Sequence, residues 1–176
     1  MDEHERLFRR IGEFVVCFQW LESKFREIGW LICDPDRTKW PPKSLRNETN
    51  HDLLKKVHSL FVGLVDDLEI DDADERKNRF SKIIAACHKM RRYRNKLLHS
   101  AYIELNGGGD DITLMRSNPK LRYDPESGEP EFDQEIVSEA GILEKLEETV
   151  ELIVAVNLHH TQLIHWSPFD RKPKRE

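Results

Sequence analysis

The chain has 176 residues, 35% of them charged and 38% apolar, and a net charge of -5 at neutral pH. That is enough for one domain whose core needs no disulfide or metal staple; it excludes a disordered polyelectrolyte, a protein with apolar spans of ~20 residues, and a general nucleic-acid coat, which needs positive potential. The start, Met1 to Arg6, lacks the basic-then-apolar order of a secretory signal, and Cys17, Cys33 and Cys87 match no metal spacing, so buried, reduced thiols and a cytoplasmic location are expected.

Residues 3–33 read as one long helix, because Leu7, Ile11, Phe14, Phe18, Leu21, Phe25, Ile28 and Ile32 recur at steps of three and four. Asp34-Pro35 ends it, since proline neither extends a helix nor favours one in the residue before it. After a loop containing Trp40-Pro41-Pro42, a second helix runs from about His51 to Leu68, with Asn50 as its cap and Leu54, Val57, Phe61, Leu64 and Leu68 on one side. The acidic stretch from Asp66 to Glu75 lacks the alternating carboxylates, central glycine and closing glutamate of a calcium loop, and reads as a solvated turn before the next helix. That third helix spans about Ala73 to His99 and turns Phe80, Ile83, Cys87, Met90 and Leu97 inward.

Residues 101–105 and 112–116 flank Asn106-Gly107-Gly108-Gly109-Asp110-Asp111 and predict a β-hairpin. No helix follows these glycines and no Lys-Ser/Thr pair is present, so a phosphate loop is excluded. Residues 117–136 read as a polar loop. The last helix runs from about Ser138 to His165 with Leu143, Leu146, Val150, Ile153, Asn157 and Ile164 in register. The sum is an all-α fold: a four-to-five-helix up-down bundle with a small β-hairpin inserted before the last long helix. One domain over 1–168 and a basic tail over 169–176 are expected.

The end of the third helix breaks the pattern. Lys89, Arg91, Arg92, Arg94 and Lys96 crowd eight residues of an otherwise acidic chain. At about 100° per residue, His88, Arg92, Asn95 and His99 share one narrow stripe. Arg94 projects with Cys87, Met90 and Leu98 toward the side that should be buried, where a lone guanidinium is costly. Glu22 interrupts the first helix's apolar stripe between Phe18 and Phe25, so a Glu22–Arg94 contact is expected. Such a pair is equally consistent with a lock between two helices, and His99 alone reads as a cation favoured at a helix C-terminus. His159, His160 and His165 have no zinc spacing, so no metal is expected.

Taken together, the residues resemble the HEPN family (higher eukaryotes and prokaryotes nucleotide-binding), small helical bundles whose penultimate long helix ends in Arg-x-x-x-x-His with a polar residue after the Arg. Arg94, Asn95 and His99 match that motif position by position, and the resemblance extends over about residues 5–165, including the Phe18-Gln19-Trp20-Leu21-Glu22 run. Members paired with antitoxins often carry His-x-Tyr; here Tyr102 stands one place later, after His99-Ser100-Ala101. The resemblance implies a metal-independent endoribonuclease without a cofactor, its site composed across a homodimer, with an antitoxin or nucleotidyltransferase as partner and a toxin or phage-defence role. It equally accommodates a non-catalytic module that binds a nucleotide or a protein.

The chemistry suits those residue types. RNA brings its own nucleophile, the 2′-hydroxyl, so a nuclease has only to move protons and stabilise the charged phosphorane. An imidazole titrating at about 6.5 does the first at neutral pH, which nominates His99. The planar fork of Arg94 suits the phosphorane, and Asn95 would orient the phosphate or the imidazole. Glu22 and Tyr102 would support these three, and Lys89, Arg91, Arg92 and Lys96 would form a positive rim for RNA.

Overall fold

The computed structural model describes residues 3–68, 71–106, 112–118, 122–123, 130–131 and 133–165. The hairpin tip over 107–111 and the basic tail over 169–176 lie outside them. Five helices dominate: α1 (Glu3–Cys33), α2 (Lys43–Arg46), α3 (Asn50–Asp67), α4 (Ala73–Leu98) and α5 (Glu139–Ile164). Between α4 and α5 come β1 (Ala101–Asn106), β2 (Ile112–Ser117), β3 (Arg122–Tyr123), β4 (Pro130–Glu131) and β5 (Gln134–Val137).

Helix ends follow local chemistry. Thr49, not Asn50, caps α3, its hydroxyl accepting from the Asp52 amide at 3.3 Å, and Ser138 caps α5 by accepting from the Gly141 amide at 3.1 Å. The predicted hairpin is present as antiparallel β1–β2, with Ala101 opposite Ser117. It gains a third strand, because part of the stretch read as polar loop returns as β5 and pairs with β2, Leu114 opposite Val137. Tyr123 and Pro130 pair in the separate two-residue strands β3 and β4.

Helix directions differ from strict alternation. Asn50 at the start of α3 donates to Glu22 at 3.1 Å, and an added Cβ on Gly29 would lie 3.1 Å from Val57. Moving along α1 therefore means moving the same way along α3. The intervening segment, including α2, carries the chain back beside α1, where Arg26 holds the carbonyls of Leu45 and Arg46. α5 also runs with α1: Arg6 and Arg10 meet Glu139 at one end, and Arg37 lies 3.2 Å from His160 at the other. α4 opposes all three, with His51 against His88, Phe25 near Phe80 and Phe14 against Tyr93.

Two apolar clusters fill the interior. One gathers Phe25, Ile28, Val57, Phe61, Phe80 and Leu163; its centre is Phe80, stacked on Phe61 at 4.1 Å. The other lies at the opposite end and joins Phe14, Phe18, Met90 and Leu97 to Leu114, Val137 and Ile142, which fastens the sheet to α4 and α5. On α5 the buried positions are Ile142, Thr149, Val156, His159 and Leu163, while Val150 and Ile164, expected inside, are exposed. Of the three thiols Cys87 alone is buried, which pushes it up to about 12; Cys17 is half-buried and Cys33 exposed. No helix among the described residues is long and apolar enough to cross a membrane.

Candidate functional site

Because α3 begins opposite Glu22 and His88, the last turns of α4 extend past it with no α3 residue alongside. That stretch holds the Arg-x-x-x-x-His residues. Arg94 is half-buried, its guanidinium carbon 5.7 Å from the centre of the Phe18 ring on α1, and it donates to Asn95 Oδ1 at 3.1 Å. His99 closes the helix as its C-terminal cap, its amide bonded to the Asn95 carbonyl at 3.0 Å and its side chain exposed. Asn95 thus touches both motif partners, one through its side chain and the other through its backbone.

The expected Glu22–Arg94 contact is not formed. Glu22 is taken by Arg26 one turn further along α1, at 2.5 Å, and by Asn50. A residue four places away on the same helix reaches a carboxylate more readily than one across the bundle. Arg94 finds instead the face of an aromatic ring and partial access to solvent, which together tolerate a guanidinium without a carboxylate.

The basic residues divide. Lys89 and Arg92 are exposed and Arg91 is half-buried, and none of the three has an ion pair to a described carboxylate; the same holds for Arg94. Lys96 is different: it turns toward the sheet and meets Asp133 at 3.4 Å. Asp133 also pairs with Arg116 of β2, which is 4% exposed and bonded to Glu135 as well. Burial alone would raise the Asp133 carboxyl, yet Arg116, then Lys96 and Asn118, hold it below the ordinary carboxylate range. Tyr102 is likewise structural in its contacts. Its hydroxyl donates to the Leu97 carbonyl at 2.5 Å, tying β1 to the last turn of α4.

Sequence reasoning missed one contribution from α3. His51 and Lys55 come up beside His88, and the two imidazole rings stand 5.2 Å apart. Burial, then His51, Arg91, Arg92 and Lys55, keep the His88 imidazole below its usual pKa. The signal was present in the sequence as His88 on the Asn95–His99 stripe, but only the fold brings His51 to it.

A concavity lies on the other side of α4, a cavity of about 140 Å³ between Tyr93, Leu97, Arg116, Val137, Ile142 and Lys145. Among the described residues no group of three His, Cys, Asp or Glu side chains is arranged to hold a metal ion. The α4 end can therefore supply donors for an anion and an accessible imidazole, set in a patch of uncompensated positive charge. Comparison with family models, with curated proteins and with solved structures returned no match.

Proposed function

We propose that the chain is a metal-independent endoribonuclease of HEPN type, acting as a homodimer in which two α4 ends face one cleft. The observation that supports it is the Arg94–Asn95 hydrogen bond in the last turns of α4, beyond the start of α3, with Arg94 free of any described carboxylate and His99 exposed at the helix end. His99 would take the proton from the 2′-hydroxyl or give one to the leaving oxygen, and Arg94 would bear the charge that builds on the phosphate. One imidazole serves one transfer at a time, so a second copy across a twofold axis supplies the other. Lys89, Arg91 and Arg92 draw RNA to the patch despite the acidic remainder. An antitoxin or nucleotidyltransferase partner, and a role as toxin or phage-defence effector, belong to the same proposal.

A second reading, a HEPN-like module that binds a nucleotide or protein without cutting, is favoured by the packing of Arg94 on Phe18. The two separate when purified protein is incubated with structured RNA in EDTA. The nuclease reading requires cleavage by the wild type and its loss in both His99→Ala and Arg94→Ala, each with unchanged helical content. Equal inertness of all three proteins on several RNAs leaves the binding module.

A further inference from the structure

Where the start of α3 packs on the middle of α4, polar atoms are left without a partner among the described residues. Nδ1 of His51, Nδ1 of His88 and Nε of Arg91 are all shut off from solvent and have no hydrogen-bond partner among the described residues. Buried nitrogens of this kind cost free energy when unpaired; Arg91 Nε is a donor, and each Nδ1 is a donor whenever its ring is protonated. Lys55 and Arg92 add exposed positive charge beside them, and neither has an ion pair to a described carboxylate.

We propose that His51, Lys55, His88, Arg91 and Arg92 form a phosphate-binding subsite that grips the backbone of the same RNA strand a few nucleotides from the bond being cut. This rests on the ribonuclease reading for its ligand. The chemistry is that of a phosphodiester: an anion with several acceptor oxygens meets imidazole and guanidinium donors at one point. Its placement follows from the helix. His88 and His99 share a stripe of α4, and eleven residues at about 1.5 Å each put them about 16 Å apart, the span of a short run of nucleotides. A strand lying along that stripe would touch Arg92 and Asn95 on its way from one histidine to the other. A bound phosphate would also relieve the positive crowding around His88, so that this imidazole gains a proton more easily when RNA is present.

The test uses a fluorescent single-stranded 2′-O-methyl RNA, which cannot be cut by attack of its own 2′-oxygen, and reads affinity against salt. His51→Gln/His88→Gln should bind at least fivefold more weakly than wild type. Lys55→Gln, on an exposed position that disturbs no packing, should bind two- to threefold more weakly with its salt slope reduced by about one. Wild-type affinity and slope in both variants overturn the proposal, as does a wild type that does not bind the strand. Ring signals of residues 51 and 88 followed by NMR should move on adding the RNA; movement with millimolar inorganic phosphate and none with RNA would make the cluster a free-anion site and overturn it too. Cleavage is a separate readout. Binding through the pair with unmodified RNA left intact would sink the nuclease and keep this subsite, and cleavage with both variants binding normally would do the reverse.

Discussion

Arg94 lies over the Phe18 ring, and the proposed function adds a second demand, an anion to bind. Stacking on Phe18 contributes about 0.5–2 kcal/mol, so Arg94→Ala should lower stability by about that much in urea denaturation while abolishing cleavage. Arg94→Lys keeps the charge but loses the fork; it should fold as well as wild type and still cut poorly, whereas a residue present only for packing would leave cleavage intact in the lysine variant. At His99, removal of an acid–base group should slow cleavage about 100-fold or more, with little change in stability because the side chain is exposed. The sequence displayed Arg94, Asn95 and His99 through their spacing on one helix. It did not display the partner of Arg94, because Glu22 had a nearer claimant in Arg26 and Asn50 competes for it from an element whose position no periodicity reveals.

Element boundaries were legible because caps and breakers are local. The expected ranges of α1, α3, α4 and α5 match those observed to within a residue or so, and Pro35 and Ser138 mark ends by their own chemistry, while the α3 cap is Thr49 in place of the expected Asn50. The buried face of α5 was not legible. Its apolar residues run nearly all round, so spacing does not choose a side, and the choice falls on a face that includes Thr149 and His159. Two substitutions test how elements are joined. Gly29 lets α1 approach α2 and α3, and an added Cβ would stand 2.9 Å from a methyl of the fully buried Leu45, so Gly29→Ala should cost about 1–3 kcal/mol. Tyr102→Phe removes the bond to the Leu97 carbonyl and should cost about 1 kcal/mol in chemical denaturation, with the α-helical circular dichroism unchanged.

At the level of the whole molecule, what escaped the sequence was direction and neighbourhood. The loop after α1 was expected to reverse the chain once; it instead carries it back along α1, so that α3 starts in mid-bundle, does not cover the end of α4, and sets His51 against His88. Burial first, then nearby cations, lowers the pKa of His88, and burial is the main cause for His159 and His160 as well, although Glu27 partly opposes it at His160. An unfolded chain then takes up protons at these sites before the folded one does. Their contribution to stability is therefore complete above about pH 6.5 and is lost as pH falls through the lowered values. Unfolding midpoints should drop between pH 7 and pH 5, and His159→Gln should flatten that drop.

The claim on which the function turns is that this fold cuts RNA through the substrate's own 2′-oxygen, at the Arg94–His99 end of α4 and without a metal. Matched strands, one all RNA and one with 2′-deoxyribose throughout, incubated with the wild-type protein in EDTA, test it most directly. The RNA should be cut to fragments ending in 2′,3′-cyclic phosphate while the deoxy strand stays whole; cleavage of both strands, or of neither, would rule this chemistry out.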